Sequence, residues 1–177
     1  MNSQDLKIAT LDHILFKGKF LVATTESLNG SDVLGINKKN LAYEFEIKIS
    51  KEDLDKELKA IRYLTGNDMN MRRARAANKL QKHATYLKHR FGYSWDTYFV
   101  PNTFSFVLPP ELIDFATRGI RGTPYGLYRY NKEKKILEVV IKPGKIHAKP
   151  VSEENLAKIH RKISTENYFL RVAKNTT

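Results

Sequence analysis

The chain has no cysteine. Disulfides and thiolate zinc sites are therefore excluded, and the usage fits a reducing compartment. No long apolar run is present either. Met1 to Phe20 carries charges throughout, so neither a secretory leader nor a membrane span is expected. The expectation is a soluble, intracellular protein with no membrane partner. The five histidines, at 13, 83, 89, 147 and 160, make no i,i+4 pair and no H-E-x-x-H, which argues against a structural or protease-type zinc. Walker A, G-x-G-x-x-G and G-x-S-x-G patterns are missing as well, so NTPase, dinucleotide and serine-hydrolase readings have no motif behind them. Acidic residues are few: 19 Asp and Glu stand against 31 Lys and Arg, a net charge of +12. A field of that sign attracts nucleic acid or another anionic surface, although it specifies no fold.

What is present suits one globular domain spanning 1–177. The apolar fraction is 41% and the aromatic fraction 11%, enough for a proper core at this length. The most informative stretch runs from Leu41 to Ser50. With a period of two it places Tyr43, Phe45, Ile47 and Ile49 on one face and Glu44, Glu46 and Lys48 on the other. Aromatic and β-branched residues alternating with charges mark a half-buried strand. Its charged face carries two carboxylates and an amine within roughly 13 Å at strand rise. That spacing suits a divalent cation beside a lysine aimed at a phosphate. The plainer reading of the same three residues is a solvated face with cross-strand ion pairs.

In chain order, Ser3 to Phe16 reads as a helix capped by Ser3 and ended by Gly18. Phe20 to Leu28 and Ser31 to Asn37 read as strands joined at the tight turn Asn29-Gly30. A two-residue turn there pairs Ser27 with Asp32, and a three-residue turn pairs Leu28 with Asp32; only the second brings Glu26 onto the face of Asp32. After the charged strand, Ser50 caps a helix whose stripe is Leu54, Leu58 and Ile61. A second helix covers about 70–90, with Ala76, Leu80, Ala84, Leu87 and Phe91 on its apolar face. Its basic stripe is Arg72, Arg75, Lys79 and Lys82, with Tyr86. A strand to Leu108, a short helix from Pro109-Pro110, a hairpin of Gly126–Tyr130 with Ile136–Ile141, and a basic helix from Glu153 to about Arg171 complete the chain. The order implies an α/β fold in which helices flank a mixed sheet.

Four stretches carry a resemblance. They are Ser31-Asp32-Val33-Leu34; Glu44-Phe45-Glu46-Ile47-Lys48-Ile49-Ser50 with Asp53 following; and Lys82-His83-Ala84 with Pro101 to Pro109. Together they resemble the PD-(D/E)XK nuclease superfamily, in the branch that includes MmcB-like DNA repair proteins and many phage proteins. The likeness covers about Phe20 to Tyr130, and the naming proline is replaced by Ser31. It implies a restriction-endonuclease-like mixed sheet as the core, about 3–130, followed by the C-terminal hairpin and helix, about 126–171.

It also implies a Mg²⁺- or Mn²⁺-dependent hydrolase of DNA phosphodiesters, working in DNA repair, recombination or phage DNA processing. Asp32 would be the first acid, Glu46 the second and Lys48 the lysine. Asp32, Glu46 and the Ile47 carbonyl would hold the metal. Glu26 and Glu44 are auxiliary acids, Glu26 ranked second to the primary acids and Glu44, one pleat away from Glu46, a helper or a surface charge. Nucleic acid would be met by Arg72, Arg75, Lys79, Lys82 and His83. The partner is DNA, with RNA left open, and the resemblance points to a homodimer. The compartment would be the cytoplasm, the host's if the chain is phage-encoded. Two alternatives stay open: a catalytically inactive nucleic-acid-binding or regulatory module on the same fold, and an interaction protein whose basic surface meets an acidic partner.

Overall fold

The computed structural model describes residues 2–18, 20–25, 28, 30–66, 79–90 and 99–175, with side chains to 88 in the third helix and to 165 in the last. Six strands form one sheet in the order β1-β2-β3-β4-β5-β6: β1 Val22–Thr25, β2 Val33–Ile36, β3 Ala42–Ile47, β4 Thr103–Leu108, β5 Gly126–Asn131 and β6 Ile136–Ile141. The first three pair antiparallel, β3–β4 and β4–β5 parallel, and β5–β6 antiparallel. The sheet is thus mixed, and its two parallel joins are the ones crossed by helices. The helices are α1 Ser3–Asp12, α2 Lys51–Leu64, α3 Leu80–Arg90, α4 Ile113–Gly119 and α5 Glu153–Asn175. A π-helical turn, His13–Lys17, extends α1.

The capping chemistry is local and legible. Asn2, rather than Ser3, caps α1: its side chain accepts from the Asp5 amide at 2.8 Å, and the Asp5 carboxylate accepts from the Asn2 amide at 3.2 Å. Ser50 Oγ accepts from the Asp53 amide at 3.2 Å and starts α2 where the sequence places it. Pro109 and Pro110 lead into a short 3₁₀ turn, Pro110–Leu112, and then α4.

Two layers cover the sheet. On one side Leu6, Ala9 and Ile14 of the α1 segment meet Val33, Phe45, Ile47, Val107 and Tyr128. On the other, Leu54, Leu58 and Ile61 of α2 join Tyr86 of α3 and Ala116 of α4 over Phe104, Phe106, Leu108 and Leu127. Ile159 of α5 closes this second side over Leu34, Ile36 and Ala42. Asn102 ties the layers together. Its Oδ1 accepts from the Ala42 amide at 2.7 Å and its Nδ2 donates to the carbonyls of His147 and Lys149 at 3.1 and 2.8 Å. Strand β3 therefore lies at the centre of the sheet, covered on both faces.

Three expectations change here. Thr25 pairs with Val33, a register given neither by a turn of Asn29-Gly30 nor by one of Asn29-Gly30-Ser31. The link from 26 to 32 is longer, and Gly30 takes the left-handed φ of 74° within it. The charged face of β3 is buried rather than half-exposed: Glu44 is 0% and Glu46 2% accessible. Finally, α3 turns His83 and Tyr86 inward, while Leu80 and Ala84 stay only partly covered. The reason is the surface it meets: a polar strand face draws the polar side of the helix.

Candidate active site

Burying Glu44 and Glu46 under two helices creates an electrostatic problem. An uncompensated buried carboxylate costs several kcal/mol, so partners have to arrive from the covering layer. They do. Lys48, at the end of β3, places Nζ 2.5 Å from Glu46 Oε1 and 3.3 Å from Glu57 Oε2. Lys82 of α3 places Nζ 2.8 Å from Glu46 Oε2 and 3.6 Å from Glu57 Oε1. Lys79 stands farther off, 3.5 Å from Glu46 and 3.7 Å from Glu57. Glu57, on the inner face of α2, is only 1% accessible. Two carboxylates from a strand and a helix therefore converge on the same three ammonium groups.

The protonation states follow from this arrangement. Burial and the neighbouring Glu57 charge push Glu46 up, but Lys82, Lys48 and Lys79 outweigh them and hold its carboxyl below the usual range. Burial also pushes Glu57 up; the hydrogen bond with His83 and the charges of Lys82 and Lys48 bring it well below that range. Burial pulls down on Lys48 and Lys82, yet the Glu46 and Glu57 charges raise both above the ordinary lysine value. These directions favour the ionised forms of Glu46, Glu57, Lys48 and Lys82.

A hydrogen-bonded shell supports it. Ser31 Oγ donates to Glu44 Oε2 at 2.9 Å and accepts from Lys82 Nζ at 2.9 Å. Tyr86 donates to the same Glu44 oxygen at 2.5 Å. Lys82 Nζ also lies 4.8 Å from the centroid of the Phe104 ring. His83, wholly buried, bridges Glu57 Oε1 at 3.2 Å and the Tyr125 hydroxyl at 2.9 Å.

The structure brings together Glu46, Lys48, Lys79, Lys82 and His83 from the expected set, with Glu44 one pleat behind as an acceptor for Ser31 and Tyr86. Asp32 has other partners. Its Oδ2 accepts from the Ile47 amide at 2.9 Å and its Oδ1 pairs with Lys7 Nζ of α1 at 3.1 Å. The chain enters β2 with Ser31, not Asp32, turned to the Glu44 side, so Asp32 is held toward the α1 layer. The Ile47 side chain packs in that same layer. Glu26, Arg72 and Arg75 lie outside the described residues.

Glu57 and Tyr125, which the sequence reading gives no site role, complete the cluster together with Tyr86 of the α3 stripe. For Glu57 a signal exists: Leu54, Glu57, Leu58 and Ile61 share one helix face, and a charge inside an apolar stripe asks for a buried partner.

Among the described residues no three His, Asp or Glu side chains gather into a metal cage. The two convergent carboxylates nevertheless suit Mg²⁺, an oxygen-seeking ion that needs only one or two protein carboxylates when phosphate oxygens and water fill its octahedron. Glu57 Oε2 is the notable donor. It is buried with no aligned hydrogen bond, held only by charge from Lys48 and Lys79. Glu46 and Glu57 are the residues that would hold such an ion.

No family model and no curated protein matches the sequence. A solved structure does: SPO1766, a protein of unknown function from Silicibacter pomeroyi, superposes with a TM-score of 0.56 at 13% identity, over 99% of this chain and 92% of that one. The likeness is one of fold alone. It extends through the C-terminal hairpin and helix as well as the sheet. Among the described residues, no helix is long and apolar enough to cross a membrane.

Proposed function

We propose that this protein is a divalent-metal-dependent nuclease of the PD-(D/E)XK type acting on DNA, with Glu46 and Glu57 as its metal-holding carboxylates. The observation that supports this reading best is the convergence of those two buried carboxylates on Lys48. When bound, Mg²⁺ or Mn²⁺ would supply Lewis-acid polarisation of the scissile phosphate and acidify water. The protein's own groups do the rest. Lys48 orients water or neutralises charge developing on the phosphate. Lys79, a third exposed, is the ammonium best able to meet a neighbouring phosphate. Lys82 holds Glu46 and Ser31 in register, a positioning role rather than a surface contact.

Incubation with single-stranded, duplex and branched DNA in Mg²⁺ or Mn²⁺ tests the reading. Cleavage that disappears in Glu46→Gln and Lys48→Met supports it, and cleavage unchanged in both rejects it. A second reading has its own motivating observation: both Glu46 oxygens are already met by ammonium groups, and Asp32 is engaged by Lys7. Such a site suits a nuclease-fold module that binds nucleic acid without cutting it. That reading predicts salt-sensitive DNA binding with no metal-dependent cleavage in the same assays.

A further inference from the structure

Behind Glu57 two buried polar side chains stand in line. His83 is 0% and Tyr125 1% accessible, and the Phe104 ring packs against both, with centroids 5.5 and 4.8 Å away. The hydrogen-bond inventory fixes the direction of the chain. An ionised carboxylate only accepts, so the His83 Nε2 that faces Glu57 has to carry the proton. A neutral imidazole then leaves Nδ1 as an acceptor, and the facing Tyr125 hydroxyl has to donate to it. Glu57 Oε1 is thereby tied from behind, while Oε2 faces Lys48 and Lys79.

We propose that Tyr125 and His83 are positioning residues for Glu57: the phenol sets the His83 tautomer, and Nε2–H pins Oε1 so that Oε2 is presented to the site. The proposal rests on Glu57 being one of the carboxylates that hold a divalent ion. It extends that reading to two residues that touch neither ion nor substrate. Partners of this kind typically change metal affinity by about 10–100-fold when removed.

The test combines Mn²⁺ binding, followed by electron paramagnetic resonance, with ¹⁵N NMR of His83 in the full chain. The expected results are a neutral His83 protonated at Nε2 and about tenfold weaker Mn²⁺ binding in Tyr125→Phe. His83→Gln should stay nearer the wild type than His83→Leu, because the Gln amide can donate to Glu57 while its carbonyl accepts from Tyr125. A relay that only stabilises the fold would shift the unfolding midpoint of Tyr125→Phe and leave its Mn²⁺ affinity untouched. That result overturns the proposal, as does an Nδ1-protonated or cationic His83. Wild-type protein that binds no Mn²⁺ overturns the metal reading, and the positioning role with it. Normal wild-type binding with an unaltered Tyr125→Phe overturns the positioning role alone. The Tyr125→Phe variant keeps the ring's shape, so the test stands even if His83→Leu fails to fold.

Discussion

Lys48 Nζ joins Glu46 of its own strand to Glu57 of the following helix, at 2.5 and 3.3 Å. This contact couples sheet to helix within a site where the side chains of all three residues are at most 14% accessible. Stability and chemistry therefore depend on the same charges, and each can be used to test the other.

Glu57→Gln keeps the shape of the side chain but removes one buried charge. Lys48 and Lys82 are left with less compensation, and breaking such a pair costs about 3–5 kcal/mol. Asp32→Asn removes a pair with Lys7 whose side chains are both 23% accessible, worth less than about 1 kcal/mol, and leaves an amide oxygen to accept from the Ile47 N–H. Urea unfolding should separate the two variants by at least about 2 kcal/mol, the difference between those costs. Equal losses would remove Glu57 from its central place.

The acid limb of stability has a defined sign. The folded state holds Glu46 and Glu57 below their ordinary value of 4.5, so the unfolded chain takes up protons first as pH falls. Their contribution is fully present above pH 4.5 and is lost progressively below it, as the pH drops through the folded values. Lys48 and Lys82 contribute in the opposite sense: their share is present below 10.5 and declines as pH rises through their raised values. Unfolding free energies measured across pH 2–6 should fall less steeply in Glu57→Gln than in the wild type. An unchanged slope would mean that Glu57 titrates normally.

Much of this was legible in the residues, and the exceptions have physical causes. Alternation in β3 correctly divides Tyr43, Phe45 and Ile47 from Glu44, Glu46 and Lys48, and Ser50 marks the start of α2. Alternation reports that two faces differ in chemistry; it does not report what covers them. The burial of Glu44 and Glu46 was hidden for that reason, and so was the inward turn of His83 and Tyr86. Asp32 stands apart from the cluster: its carboxylate meets the Ile47 amide and Lys7, while Ser31 bonds Glu44. Tyr125 precedes a strand by one residue and carries no periodic signal, so only the fold reveals it.

DNA binding should weaken steeply with salt, as expected for a chain of net charge +12. Lys79, at 33% side-chain accessibility, is the residue proposed to meet a phosphate at the edge of the cluster. Lys79→Met should lower the slope of log affinity against log salt by about one. Fluorescence anisotropy at several salt concentrations measures this directly. A slope identical to the wild type would place the phosphates elsewhere.

Stoichiometric Mn²⁺ titration of the wild type, Glu57→Gln and Asp32→Asn, read by electron paramagnetic resonance, addresses the carboxylate assignment most directly. If Glu46 and Glu57 hold the ion, the wild type and Asp32→Asn bind alike and Glu57→Gln loses binding. Retention by Glu57→Gln together with loss in Asp32→Asn would contradict this site and restore the pairing of Asp32 with Glu46 that the sequence motif suggests.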